Sequence, residues 1–272
     1  MKKNEQNVNN IYMTVLTNSN YLGGVRILNK SLKQVNAQYP LVVLMPAGID
    51  IEIQRQLDKE NILYILSDGF DESVFSRANK VSHWRETFFK LKVFDQTDFR
   101  KIVFLDADMI VNRNIDHLFG KPHMACVAAG QELHADWINL NSGLMVIEPS
   151  HQEYSDMLQL IEPVFAEKES LSQGVGDQDI ITAYYDNWRD SQELHLPGSY
   201  NVMLGYAGYL KRNGTIVSVD DIYVYHYTGY EKPWRNIASG DVKILLKILK
   251  RSKSWIDFQM FMKYKRMLKS LC

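Results

Sequence analysis

Lys101-Ile-Val-Phe-Leu-Asp-Ala-Asp-Met-Ile-Val111 sets an apolar run directly before two carboxylates, Asp106 and Asp108, one residue apart. The run reads as a short buried strand, and in an open α/β sheet ligands sit at the carboxyl ends of the strands. Two carboxylates there repel unless something cationic stands between them. A hard divalent ion with oxygen ligands, magnesium or manganese, answers that need. It would bridge a diphosphate and take up charge as the diphosphate leaves. An isolated D-x-D pair is as readily an acidic surface turn, so the buried strand before it carries the functional reading.

Working outward, short apolar runs alternate with helical periodicity. Residues 11–17, 41–45 and 62–66 read as strands, and 22–37, 51–59 and 84–96 as helices. This rhythm predicts a mainly parallel sheet with helices on both faces. Beyond about residue 120 the order loosens. Strands are expected over 124–129, 144–147 and 216–225, and helices over 154–165 and 177–185, the last with Asp177 near its cap.

The chain has 272 residues, 46% of them hydrophobic, enough for one substantial domain. A net charge of −1 argues against nucleic acid as a partner. Two cysteines, Cys126 and Cys272, are too few for a disulfide framework and fit a reducing cytosol. The first ten residues are polar, unlike a secretory signal, and no apolar run reaches the roughly 18 residues of a membrane span. From 241 to 272 nine Lys or Arg face two Asp, a net charge of about +7. We therefore divide the chain into a domain over 1–240 and a basic, aromatic helical tail over 241–272.

Three further elements bear on chemistry. Asn141-Ser-Gly143 precedes another apolar run; Gly143 permits close backbone approach and the polar pair suits sugar hydroxyls. Gly176-Asp-Gln-Asp179 precedes a helix, where an N-cap is the plain reading. His226-Tyr-Thr-Gly-Tyr-Glu-Lys-Pro-Trp234 spaces His226, Gly229 and Lys232 at intervals of three, as in a loop that closes over phosphates.

Taken in order from about residue 11 to 234, these pieces resemble glycosyltransferase family 8, which includes glycogenin and bacterial lipopolysaccharide galactosyl- and glucosyltransferases. The resemblance also rests on Thr14-Val-Leu-Thr-Asn-Ser-Asn-Tyr21, Ser31-Leu-Lys33, Phe89-Lys-Leu91, Asn114-Ile-Asp116, Leu118-Phe119, His195-Leu-Pro197 and Tyr200-Asn201. It implies a Rossmann-like nucleotide-sugar-binding domain of GT-A type, followed by the small helical tail. The implied metal is manganese, with magnesium as the alternative, held by Asp106, Asp108 and His226. A UDP-sugar donor would contact Val15, Thr17, Asn18, Tyr21 and Ala107, with Gly229 and Lys232 on its diphosphate. Lys90, Asn141, Ser142, Asp177 and Gln178 would surround the transferred hexose, glucose or galactose.

The resemblance also implies retention of anomeric configuration, with Gln178, Asp177 and Lys90 as the catalytic group. Gln178 is a poor nucleophile, which favours attack from the face the diphosphate leaves. The acceptor would be a glycan or glycolipid of a lipopolysaccharide, capsule or similar surface polymer; a self-glucosylating primer like glycogenin is the alternative. The chain departs from the family at three points. Arg77, Lys80 and Arg85 compete for the place of one family arginine, Gly174 replaces an aspartate of glycogenin, and Gly208, between Tyr206 and Tyr209, falls where glycogenin carries its glucosylated tyrosine. The expected location is cytoplasmic, with the tail attached to the inner membrane face through its lysines and Trp255, Phe258 and Phe261. Every assigned site residue lies before Trp234, so loss of the tail is expected to spare the chemistry. Two other classes compete. Phe104-Leu-Asp-Ala-Asp-Met resembles the start of a haloacid-dehalogenase phosphatase motif, but that motif belongs on a first strand. A non-enzymatic sugar-binding protein would have no need of the intact D-x-D and His226.

Overall fold

The structure, a computed structural model, describes residues 10–70, 88–131, 136–170, 174–229, 232–234, 250 and 254–271. Its first half follows the alternation read in the sequence. β1 (Asn10–Val15) leads into α1 (Leu22–Gln34), then β2 (Leu41–Pro46), α2 (Ile51–Lys59), β3 (Leu63–Ser67) and β4 (Lys101–Leu105). Helix α2 starts where the Asp50 carboxylate accepts from Glu52 N at 2.9 Å. The four strands pair in parallel in the order β3-β2-β1-β4. In β1, Ile11 and Met13 join one apolar cluster and Tyr12 another, as expected of a pleated strand covered on both faces. The chain winds outward from β1 to β3 and then crosses to the other side of β1 at β4. That reversal leaves a crevice at the carboxyl ends of β1 and β4, where open α/β sheets take their ligands.

After β4 the chain turns at the two aspartates into the short strand β5 (Met109–Val111). It re-enters the main sheet as β6 (Cys126–Gly130) and β7 (Ile138–Ile147), with β7 antiparallel to both β4 and β6. Helices α3 (His151–Ser170) and α4 (Asp177–Tyr184) pack on this half through Met157, Ile161, Ile180 and Ile181. β8 (His195–Leu196) pairs in parallel with β6 at the far edge. Cys126 starts β6 in register with Met145 and His195; it is fully buried, and burial pushes its thiol well above the ordinary range. β9 (Val202–Met203), the short helix α5 (Ala207–Arg212) and β10 (Val224–His226) follow, with β5, β10 and β9 forming a second, three-stranded sheet in the order β5-β10-β9.

Three expected elements differ. The strand expected over 144–147 begins at Ile138, so Asn141-Ser-Gly143 lies within β7 and not before it. The strand expected over 216–225 shrinks to β10, because Asp221 Oδ2 accepts from Val217 N and Ser218 N, both at 2.8 Å, and winds residues 219–221 into a 3-10 turn. The helix expected over 84–96 is a 3-10 helix at Phe89–Val93, while 84–87 lie outside the described residues. Phe88, Phe89, Leu91, Val93 and Phe94 are all buried, so a tight turn enclosed by the core replaces a helix with one wet face.

The last helix, α6 (Trp255–Lys269), lies within the folded body. Ile256, Met260, Tyr264 and Met267 share a cluster with Ile27, Tyr225 and Tyr227, and Tyr227 OH donates to Met260 O at 2.7 Å. Asp257 is fully buried and accepts from Gly205 N at 2.9 Å and from Tyr225 OH. This packing argues against the expectation that loss of the tail would spare the chemistry. Trp255 is 61% exposed and stacks on Phe258, but Phe261 is buried and unavailable to a membrane. Most basic residues of 241–253 lie outside the described residues. Among the described residues no helix is long and apolar enough to cross a membrane.

Candidate active site

Strand pairing assembles the site from distant parts of the chain. The D-x-D turn leaves β4 with Asp106 N donating to Gly143 O at 2.8 Å and closes with Met109 N donating to Asp106 O at 3.2 Å. β10 lies antiparallel to β5 with His226 opposite Met109, and Tyr227 N donates to Asp108 O at 2.9 Å. His226 is thereby fixed against the aspartates, as the last residue of its strand. Its Nε2 lies 3.0 Å from Asp108 Oδ1 and 3.7 Å from Asp106 Oδ2.

A chain of amides sets the histidine's tautomer. Asn141 Oδ1 accepts from Gly143 N at 2.9 Å and from Asn201 Nδ2 at 2.6 Å. Asn201 therefore turns its Oδ1 to His226 Nδ1, 3.1 Å away, so Nδ1 is the nitrogen that donates to the amide and Nε2 the one that faces the carboxylates. Ligand atoms of Asp106, Asp108 and His226 all lie within 4.8 Å of one another. An imidazole nitrogen and two carboxylates facing one point suit a divalent cation. A Cβ on Gly143 would come within 2.9 Å of Asn141 Oδ1 and His226 Cε1, which explains the glycine.

Two lysines balance the acidic groups. Lys90, from the 3-10 helix, reaches Asp106 Oδ1 at 2.9 Å, Asp177 Oδ2 at 2.7 Å and Ser142 Oγ at 3.2 Å. Burial opposes its charge, but Asp106 and Asp177 outweigh burial and hold the ammonium above the ordinary lysine range. Lys232 Nζ reaches Asp108 Oδ2 at 2.5 Å and Tyr227 O at 2.9 Å. Burial would raise the Asp108 carboxyl, but His226 and Lys232 outweigh it and hold the group far below the usual range. Ser142 Oγ donates to Asp177 Oδ2 at 2.8 Å, and Ser142 N donates to Gln178 Oε1 at 3.2 Å. Asp177 lies beside the cap as expected: Gly176 is the N-cap, and its N donates to the Asp179 carboxylate at 2.8 Å. Asp177, the first helical residue, is left to face the site.

Val15 ends β1, Thr17 and Asn18 follow it, and the Asn18 side chain caps the turn at Ser19–Tyr21. Tyr21 packs near Trp234, with ring centroids 5.7 Å apart, and Lys232 Nζ lies 5.6 Å from its ring centre. Trp234 Nε1 donates to Asn20 O at 2.7 Å, fastening the segment 232–234 to the start of α1. Ala107 O approaches so closely that a Cβ on Gly24 would lie 2.3 Å from it.

Lys90, Asp106, Asp108, Ser142, Asp177, Gln178, His226 and Lys232 thus form one connected cluster, which Asn141 joins through Asn201. Tyr21 borders it through Lys232 and Ala107 lies between the two aspartates, while Val15, Thr17 and Asn18 lie at the end of β1. Gly229 stands apart at φ +96°, with nothing within 4 Å of an added Cβ. Arg77, Lys80 and Arg85 lie outside the described residues. Asn201, Gly24 and Trp234 have no role in the sequence reading. Tyr200-Asn201 and the Gly23-Gly24 pair at a helix start were the available signals.

Residues 12–238 match the family described as Glycosyl transferase family 8. Uncharacterized protein R707 of Acanthamoeba polyphaga mimivirus is 30% identical over 246 residues, covering 84% of this chain and 83% of that protein. Inositol phosphorylceramide glucuronosyltransferase 1 of Arabidopsis thaliana is 30% identical over 247 residues, covering 82% of this chain and 42% of that protein. Glycogenin-1 of Homo sapiens is 29% identical over 231 residues, covering 82% of this chain and 61% of that protein. The chain thus spans about half of the plant and animal relatives it matches. Among solved structures, the galactosyltransferase LgtC in complex with donor and acceptor sugar analogues aligns with a TM-score of 0.61 at 16% identity, over 87% of this chain and 94% of that one. The apo form of the glycosyltransferase GlyE from Streptococcus pneumoniae TIGR4 aligns with a TM-score of 0.60 at 18% identity, over 96% of this chain and 63% of that one. At these identities the likeness is one of fold, the GT-A type.

Proposed function

Because the chain belongs to glycosyl transferase family 8, we propose that it moves a hexose from a UDP-sugar to a glycan hydroxyl with the anomeric configuration retained. The observation that carries this reading is the convergence of Asp106, Asp108 and His226 beside the Lys90–Asp177–Ser142–Gln178 cluster, at the crevice between β1 and β4. When bound on the first three residues, manganese, or magnesium in its place, supplies positive charge for the leaving diphosphate.

The chain's own residues do the rest. Lys232 moves its charge from Asp108 to a phosphate oxygen as the donor enters. Lys90 holds the Asp177 carboxylate in an ion pair, and Asp177 accepts hydrogen bonds from sugar hydroxyls. Gln178 has an amide whose oxygen is held by Ser142 N, so it lacks the carboxylate needed for double displacement. The acceptor oxygen therefore bonds to the anomeric carbon on the face from which the diphosphate departs. The anomeric carbon–oxygen bond to the diphosphate breaks, and the acceptor's proton passes to the departing phosphate oxygen. Gln178 stabilises the positive charge on the sugar by its dipole. Surface glycans such as lipopolysaccharide or capsule are the favoured acceptors, worked on at the cytoplasmic membrane face with Trp255 and the basic residues after 240 as the attachment. A self-glucosylating primer has less support, since Gly208 offers no hydroxyl where glycogenin has one.

UDP release from UDP-glucose, UDP-galactose and UDP-glucuronic acid, with manganese and with excess EDTA, tests the reading; the last donor is included because curated relatives bear the name glucuronosyltransferase. We expect metal-dependent release from one donor and an α-linked product from the α-linked donor. Full activity in EDTA would remove the metal assignment. A β-type coupling constant at the new anomeric proton would remove retention and the role of Gln178.

A further inference from the structure

The charged side chains of the site are gathered on one side of it. Asp106, Asp108, Asp177, Lys90 and Lys232 surround the metal position, whereas a cleft opening beside Asn141 is lined only by neutral residues among those described. Asn141 and Asn201 contribute its amides, and Met203, Tyr206, Tyr209 and Leu210 its apolar and aromatic surface. The amides join the cleft to the reacting centre, since Asn201 bridges Asn141 and His226 by contacts of 2.6 and 3.1 Å. Asn141 Oδ1 already accepts twice, which leaves the Nδ2 group of the same amide to donate to a ligand. Tyr209 is held from behind, its hydroxyl donating to Gln131 O at 3.1 Å.

We propose that this cleft seats the acceptor and selects a neutral sugar residue, rejecting phosphorylated sugars and uronic acids. The inference rests on reading the adjoining cluster as a sugar-transfer site, and it adds the acceptor's chemical class. A pyranose has an apolar ring face for the tyrosine rings and hydroxyls for the Asn141 amide. A phosphate or carboxylate in the same place would lose water without gaining a cation among the described lining residues, and would approach Asp106 and Asp177. Discrimination therefore comes from the neutrality of the described wall as much as from contacts made.

The full chain, supplied with manganese and the donor it hydrolyses, tests this against methyl glucoside, methyl galactoside and lactose on one side, and glucose 6-phosphate, galactose 6-phosphate and glucuronic acid on the other. At least one neutral sugar should raise UDP release about tenfold above donor hydrolysis, while the anionic sugars change it by less than about twofold. Tyr209→Ala should raise the KM for the neutral acceptor about tenfold and lower the ratio of transfer to hydrolysis, with the donor KM little changed. Tyr209→Phe keeps the ring and should stay close to the wild type. An anionic sugar that accelerates release as well as any neutral one overturns the proposal. So does hydrolysis that no neutral sugar accelerates, or an acceptor KM unmoved by Tyr209→Ala. If the wild type shows no metal-dependent hydrolysis of any donor, the transferase reading itself fails.

Discussion

Asp108 has a side chain only 10% exposed and holds the buried Lys232 at 2.5 Å, whereas Asp106 is 25% exposed and shares Lys90 with Asp177. The two halves of the motif should therefore fail differently. Asp108→Asn strands a buried ammonium and should destabilise the fold by about 3 kcal/mol. Asp106→Asn leaves Lys90 with Asp177 and should cost under about 1 kcal/mol. Both should lose metal-dependent UDP release. Denaturant unfolding of the two proteins measures the difference; equal destabilisation would mean that Lys232 finds another partner. Repulsion between the aspartates was legible in the sequence, and Lys90 and Lys232 were named as site residues, but their pairing with the aspartates was not legible, because Lys232 is over a hundred residues away and meets Asp108 only through the β5–β10 pairing. Asn201 was hidden for a similar reason: its role is to orient His226, and an orienting amide has no spacing rule.

At the scale of elements, the approach of α1 to the D-x-D turn is the contact least tolerant of change. Gly24→Ala would force a carbon against Ala107 O and should cost about 1–3 kcal/mol together with much of the donor affinity. Gly48→Ala, with nothing within 4 Å of the new carbon, is the matched control and should melt like the wild type. Ending the chain at 240 removes Ile256, Met260 and Tyr264 from the core at about 1.5–3 kcal/mol each, comparable with the whole stability of a domain. Loss of a cooperative thermal transition is expected, and an intact one would show that α6 is dispensable. The α2 and β4 bounds read from sequence coincide with those observed, since capping by Asp50 and a pure apolar run are local signals. The strand expected over 216–225 was misread because Ile216, Val217 and Val219 have strand character while the Ser218–Asp221 hydrogen bonds decide the turn.

For the molecule as a whole, charge is distributed unevenly: the net is −1, yet residues 241–272 carry about +7. The intact protein should sediment with anionic vesicles at low salt and release as salt is raised, since exposed charges are screened over about 8 Å at physiological ionic strength. Trp255→Ala should weaken that binding without loss of stability; sedimentation indifferent to lipid charge would remove the attachment. The main sheet also places Cys126 between β7 and β8, where the sulfur is sealed from solvent and resists ionisation. A thiol reagent can reach it only when those strands separate. Labelling kinetics at this one sulfur therefore form a built-in clock for opening of the antiparallel half of the sheet, and bound donor or metal should slow that clock to the extent that each is gripped by the closed state.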